Sequence, residues 1–378
     1  MRITGTRKTI SHVEPYVAGK TIEEVKREYG LREVVKLGSN ENPYGPFPSS
    51  LEAMREELEL LNTYPDSTFE EIKKHIAAMF RLSAQNIAVS HGAGGMLETL
   101  AKTFIEEGDQ VIIPQQSYRL YREISTLMGA AVVEVPLTED YHVDVDAIRA
   151  EITEKTKLIW LCNPNNPTGT IVPLAKYREL ITELPAHTWL VLDEAYAEFA
   201  DPDLLPPMTT DIAQHNLIAV RTFSKAFGLA GARLGYAVAA PDVIRVIDTV
   251  AEPFNANRVG LAGATAALTR GWERYLEVRG QICADRGWLE DQLSRRGYEV
   301  VQSHANFVFF DSGTDTNALT ATMLKRGVIV RGCAGWGYPH HLRVSVGTRA
   351  ELERFIQVFD VTAGEAGRTE KEHAHGSV

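Results

Sequence analysis

Lys225 stands in RTFSKAFGLAGARLGY (221–236), directly after an apolar run and among hydroxyls and small residues, with Arg233 further on. A solvated lysine, the common fate of this side chain, needs no such neighbours. A lysine at a strand end facing a cleft loses proton affinity through desolvation and nearby cations, which suits Schiff-base chemistry. Asp193 closes another apolar run, TWLVLDEAY. A carboxylate there is costly without a cationic partner, and a salt bridge to Arg or Lys would serve as well as a ligand. Asn166 lies in NPNNPTGT (163–170), where flanking prolines hold the backbone so that the amide aims at one atom. Gly92, Ala93, Gly94 and Gly95 open a helix-like run in HGAGGMLE (91–98). A glycine turn at a helix start accepts a phosphate on free N–H groups, or is there for geometry alone. It is not a dinucleotide fingerprint, because Leu97 takes the third glycine's place. Tyr118, after VIIP, is suited to stacking on a flat ring or to ordinary packing.

Taken together these groups describe a site for pyridoxal 5'-phosphate. Lys225 would hold its aldehyde, and Asp193 would pair with the protonated pyridine nitrogen. Asn166 and Tyr196 would hydrogen-bond the phenolic oxygen, and Tyr118 would stack on the ring. The helix-start amides, with Thr222, Ser224 and Arg233, would hold the phosphate.

Such groups need a scaffold that brings strand ends together. IAVS, VIIP, AVVEVP, LIWLCNP, TWLVLDE and LIAVRTF are short apolar runs, most of them separated by helical segments. They predict an α/β fold with a mostly parallel sheet covered on both faces, whose ligands bind beyond the carboxyl ends of the strands. TIEEVKREYG (21–30) reads as a short helix and SLEAMREELELL (50–61) as another, after an irregular arm. Beyond residue 260 a long helical stretch (261–297) leads into YEVVQ, NFVFFD, VIVRG and HLRVSVG, a smaller α+β domain. The expected limits are 1–47 for the arm and a small-domain segment, 48–252 for the large domain, 253–362 for the small domain, and 363–378 for a polar, mobile tail.

The 378 residues, 44% hydrophobic, suffice for more than one domain. A net charge of −11 argues against nucleic acid or an anionic membrane as partner and suits a protein that handles small molecules. Three scattered cysteines offer neither a metal spacing nor a disulfide framework, and no apolar run has the length of a signal peptide or membrane span. The expected compartment is the cytoplasm.

NPNNPTG, DEAY and SKAFGLAGARLG, in that order and spacing, resemble the fold-type-I (class I/II) pyridoxal-phosphate-dependent aminotransferases. VEPYVAGKTIEEVKREYG, SNENPYGPFP, YPDSTFEEIKKHIA and the closing GVIVRGCAGWGYPHHLRVSVGTRAEL are similar to histidinol-phosphate aminotransferases in particular. The resemblance implies an aspartate-aminotransferase-like large domain with a seven-stranded sheet, and a small domain formed by both termini. It implies a homodimer in which Tyr64 reaches the partner's cofactor phosphate. It gives Arg343 the substrate's anionic group, Arg331 and Tyr16 the substrate phosphate, and places Asn42 near the site. Lys225, Asp193 and Tyr196 are then the catalytic set. An amine donor and a 2-oxo acid acceptor are the expected partners. Histidinol phosphate with 2-oxoglutarate is the first reading; an aromatic amino acid donor, or decarboxylase or oxidase chemistry on the same fold, are the others. A cofactor-binding regulator without turnover lacks any DNA-binding extension here. One departure stands out: Gly94 and Gly95 occupy positions where relatives usually carry Asp-Glu.

Overall fold

The computed structural model describes residues 5–15 and 19–375. Tyr16 lies outside the described residues. Among the described residues thirteen strands are arranged in three sheets. Val35–Lys36 (β1) belongs with the small domain. The large sheet takes Ile87–Ser90 (β2), Gln110–Pro114 (β3), Ala131–Val135 (β4), Thr156–Cys162 (β5), Trp189–Asp193 (β6), Leu217–Thr222 (β7) and Gly235–Val238 (β8). Its order is β2-β8-β7-β6-β5-β3-β4, and only β8 runs antiparallel to its neighbours. The predicted runs are all present. GYAV (235–238) is the added strand, hidden in the glycine-laden stretch after Lys225.

Both faces of this sheet are covered, and side-chain alternation sorts its residues into two cores. Ile112, Ile159, Leu161, Leu190, Leu192 and Ala219 point to one side. Val111, Ile113, Leu158, Trp160, Val191 and Val220 point to the other, against the helix Gly92–Phe104. Each large aliphatic side chain so buried contributes about 1.5–3 kcal/mol. Continuous burial explains why these strands read as unbroken apolar runs.

The small domain holds Val300–Val301 (β9), Phe307–Asp311 (β10), Val328–Ile329 (β11), Arg331–Gly332 (β12) and His341–Ser345 (β13). Its antiparallel sheet has the order β12-β13-β10-β9, while β1 pairs in parallel with β11. Both ends of the chain therefore build this domain. The helix Ile22–Tyr29 starts on a Thr21–Glu24 capping box and stops at Gly30 in the left-handed region, φ 66°.

Two expectations change. The long helical stretch is two helices, Arg258–Thr269 and Trp272–Ser294, separated at Gly271. There the chain turns so tightly that a Cβ on Gly271 would lie 2.8 Å from Ser49 Oγ and 3.0 Å from Ala267. The tail is not irregular from residue 363: the last helix, Arg349–His375, runs through it. Its Ala, Glu, Lys and Arg are good helix formers, a local preference that its polarity conceals. No described helix is long and apolar enough to cross a membrane.

Candidate active site

The parallel strands β3, β5, β6 and β7 end at one edge of the large sheet, and the predicted residues follow those ends. Lys225 lies just past β7. Its Nζ donates to the carbonyl of Ser39 at 3.1 Å and lies 5.8 Å from the centre of the Tyr196 ring. Burial, with the Arg343 and Arg233 guanidiniums adding to it, pushes the amine down to about 8 against an opposing pull from Glu41. Thr222 Oγ1 accepts from the Ser224 amide at 3.0 Å, which shapes the turn that presents the lysine.

Asp193 is only 3% exposed at the end of β6. Burial pushes its carboxyl up to about 6, although the Tyr121 hydroxyl donates to it at 2.6 Å and the Ala195 amide at 3.1 Å. The salt bridge to arginine is made by the next residue instead. Glu194, on the opposite side of the strand, meets Arg221 at 2.8 Å. Asp193 is left with neutral donors, an arrangement that favours a cation brought by a ligand.

Asn166 follows β5, in a turn whose Asn163–Pro164 and Asn166–Pro167 bonds are cis. Asn165 holds this turn: its Oδ1 accepts from Ser117 Oγ at 2.8 Å, and its Nδ2 donates to the Gln116 carbonyl and to Thr168 Oγ1, both at 3.0 Å. Asn166 Oδ1 accepts from Arg343, so its amide nitrogen is the end left to donate. Tyr118 is partly exposed after β3, edge-on to Tyr121 at 5.6 Å. Tyr121 in turn stacks on Trp160 at 5.4 Å.

The glycine turn is a cradle. Gly92 has φ +89°, and a Cβ there would lie 2.6 Å from the Arg233 guanidinium. Gly235, at the start of β8, would place a Cβ 2.4 Å from the Ala93 nitrogen. The start of the helix, Arg233 and the hydroxyls of Thr222 and Ser224 thus lie at one strand edge, where helix-end N–H groups and a guanidinium hold an anion. Gly95 makes room for the His91 ring, whose nearest atom would be 2.6 Å from an added Cβ; Gly94 meets only Leu120, at 3.6 Å.

From the small domain, β13 supplies Arg343, 5% exposed, which donates to Asn166 and to the Gly38 carbonyl at 2.9 Å. Its guanidinium lies 5.7 Å from the Trp336 ring centre and 5.4 Å from that of Phe307. Arg331 pairs with Arg343 in register and so shares its face of the sheet. It lines a cavity of about 230 Å³ with Gly19, Lys20, Ser39, Asn317 and Thr320.

Some predicted residues lie apart from this set. Both ends of the Asn42 amide are engaged by backbone, Nδ2 on the Ala226 carbonyl and Oδ1 on the Tyr44 amide, each at 2.9 Å. Asn42 therefore ties the N-terminal segment to the loop after Lys225. Asn40 is the residue that faces Tyr196, donating to its hydroxyl at 3.1 Å. Asn40 is buried at φ 53°, and only its left-handed backbone, which Asn tolerates, could have marked it. Tyr64 is 77% exposed, stacked on Phe254 at 4.5 Å, and makes no hydrogen bond to the Lys225 cluster. Tyr121 was missed because it lies on a helix, not at a strand end.

A half-buried amine of lowered proton affinity, a carboxylate without a cationic partner, a glycine-lined helix start beside a guanidinium, and the buried Arg343 are chemistry suited to an anionic, ring-bearing ligand. The described residues hold no His, Cys, Asp or Glu group suited to a metal ion. Residues 32–359 match the aminotransferase class I and II family. The chain belongs to that family. It is 38% identical to the histidinol-phosphate aminotransferase of Symbiobacterium thermophilum over 96% of this chain and 100% of the relative. It is also 38% identical to that of Moorella thermoacetica over 93% of this chain and 91% of the relative. The solved histidinol-phosphate aminotransferase of Sinorhizobium meliloti, in complex with pyridoxal-5'-phosphate, superposes with a TM-score of 0.88 at 29% identity, covering 96% of this chain and 99% of that one.

Proposed function

We propose that the chain is a pyridoxal-phosphate-dependent transaminase that moves the amino group of histidinol phosphate to 2-oxoglutarate. The observation that carries the donor is the pairing of Arg331 with Arg343 on one face of the small sheet, two cations for a dianion. The named relatives support it.

The residues fit the cofactor: Asp193 lacks a cationic partner, and the missing Cβ at Gly92 lets the Arg233 guanidinium close on the helix start, where an anion would be held. Bound there, pyridoxal phosphate supplies an electron sink for the carbon that bears the substrate's amine. Lys225 would take the proton from that carbon onto its Nζ as general base and, so charged, act as the acid that gives it back; its lowered proton affinity keeps a usable neutral fraction near neutral pH. Asp193 would hold the proton on the ring nitrogen, and Tyr121 holds Asp193. Asn166 and Tyr196 would donate to the ring oxygen. Burial raises the Tyr196 phenol, and Asn40 occupies one of its acceptor sites, so its proton stays available. Tyr118 would stack on the ring. Gly92 to Gly95, Thr222, Ser224 and Arg233 would hold the phosphate. Arg343 and Arg331 hold the substrate's anionic groups, to which the family resemblance adds Tyr16, while Asn42 anchors the N-terminal segment to the loop after Lys225.

For the domains we propose limits at 47, 252 and 362, with the helix Arg258–Thr269 reaching back onto the helices Pro48–Glu57 and Glu70–Phe80. A cytoplasmic homodimer completes the reading. Exposed Leu58, Leu60, Leu61 and Tyr64 on one segment support a partner surface. The test is single-turnover absorbance of the loaded protein with histidinol phosphate, then phenylalanine, then tyrosine, with no acceptor present. Bleaching of the cofactor band by histidinol phosphate is the expected result. Reaction with an amino acid alone would make the arginines carboxylate binders and the donor an aromatic amino acid.

A further inference from the structure

We propose that Tyr141 and His341 form a clasp between the two domains that holds Arg343 in position against Asn166. Both are positioning residues for the substrate's anionic group, and this rests on the reading of Arg343 as its binder.

Tyr141 belongs to the large domain, in the loop after the edge strand β4 that an isolated Leu137–Val143 bridge closes. Its φ is +67°, a left-handed conformation that a bulky side chain rarely adopts and that persists only where the surroundings over-determine it. The surroundings come from the small domain. The tyrosine ring meets Phe309, Tyr338 and His341 edge-on, at centroid distances of 5.4, 5.6 and 5.3 Å. Its hydroxyl lies 2.9 Å from His341 Nε2. The other imidazole nitrogen is buried with no hydrogen-bond partner, so Tyr141 is the polar contact that anchors this ring. Burial holds His341 below the usual imidazole range, which keeps it neutral.

The same two residues connect to both partners of the Arg343–Asn166 hydrogen bond. On the small-domain side, His341 and Arg343 alternate along β13 and share one face. Phe309 lies opposite Arg343 in register and stacks on His341 at 4.8 Å. On the large-domain side, the Tyr141 carbonyl accepts from Thr170 Oγ1 at 2.9 Å. Thr170 bonds Thr168 at 2.8 Å, and Thr168 accepts from Asn165, all within the turn that carries Asn166. The links form a closed ring: Tyr141, the Asn166 turn, Arg343, His341 and back to Tyr141. Its interdomain joints are the arginine–amide contact and the tyrosine–imidazole contact. Breaking the second leaves the first without its side-chain brace, beside the His304 amide on the Gly169 carbonyl at 2.8 Å and Trp336 Nε1 on the Ser117 carbonyl at 2.7 Å.

Tyr141→Phe removes one oxygen and keeps the ring packing. The expected result is a rise of about tenfold in KM for 2-oxoglutarate and for the amine donor, the scale of one buried hydrogen bond. The kcat should stay within about twofold, because lost positioning of a binding group removes uniform binding. His341→Leu should raise KM equally, and the double variant should be no worse than either single one. His341→Gln, which can return an amide N–H toward the tyrosine hydroxyl, should recover part of the loss. An unchanged KM in Tyr141→Phe, or single effects that multiply in the double variant, would overturn the clasp. If His341→Leu does not fold, Tyr141→Phe and His341→Gln decide the matter. If the wild type rejects histidinol phosphate and uses another amine, the donor reading falls while the 2-oxoglutarate comparison still tests the clasp.

Discussion

Asp193 and Lys225 lie at the ends of adjacent strands, and burial drives their proton affinities in opposite directions, the carboxyl up to about 6 and the amine down to about 8. Both shifts follow from the cost of a charge in a poorly solvated place. In the cofactor-free protein the neutral lysine is the nucleophile. The rate of pyridoxal phosphate uptake, followed by absorbance, should therefore climb with pH and level off above about 8. A midpoint near the ordinary lysine value of 10.5 would refute the desolvation argument. Arg343→Gln should move the midpoint upward, because one of the depressing cations is gone. Lys225→Ala should abolish turnover. Tyr121→Phe takes a hydrogen bond from the ionised carboxylate, so Asp193 should rise further. Cofactor affinity, measured by titration, should then be weak near pH 6 to 7 and recover at higher pH, where the carboxylate ionises again.

At the scale of elements, the site depends on how closely β8 and the helix Gly92–Phe104 approach. A Cβ at Gly235 would lie 2.4 Å from the Ala93 nitrogen and 2.5 Å from the Gly92 carbonyl carbon, both backbone atoms that cannot swing away. Gly235→Ala should destabilise by about 1–3 kcal/mol, as overpacking does, and loosen the cofactor phosphate. Gly94 has no such neighbour and sits in a helix. Gly94→Ala should be neutral or stabilising by about 0.4–1 kcal/mol through the unfolded chain. Thermal unfolding of both variants, with a cofactor titration, checks the contrast. If Gly94→Ala proves as damaging as Gly235→Ala, the departure from the family's acidic pair is serving a need beyond helix geometry.

At the scale of the molecule, one chain brings Asp193, Asn166, Tyr196 and Arg343 around Lys225, while Tyr64 is exposed on the segment that also shows Leu58, Leu60 and Leu61. A shared site predicts complementation. Lys225→Ala is inactive, and Tyr64→Ala should retain cofactor poorly. Mixed and re-equilibrated, the two should recover about a quarter of wild-type activity, since half the dimers are hybrids with one intact site each. No recovery, with hybrid dimers demonstrated by mass, would show that each subunit's site is complete by itself.

Much of this was legible in the chain. Periodicity and apolar runs marked the strands because strands buried on both faces carry no polar interruption. Lys225, Asp193, Asn166 and the glycine turn were visible because ligands of such sheets gather at the carboxyl ends of strands, where linear order already marks the place. What distance in sequence conceals was not. That Glu194 rather than Asp193 takes the arginine depends on which face of β6 each side chain points to. That Asn40 rather than Asn42 meets Tyr196 depends on one left-handed residue. The break at Gly271 depends on a helix that packs against it. The sequence by itself determined the chemistry on offer, through residue types at strand ends. Only the tertiary structure decided the partners, because hydrogen bonds and burial join residues such as Tyr141, Asn166 and Arg343 that are far apart along the chain.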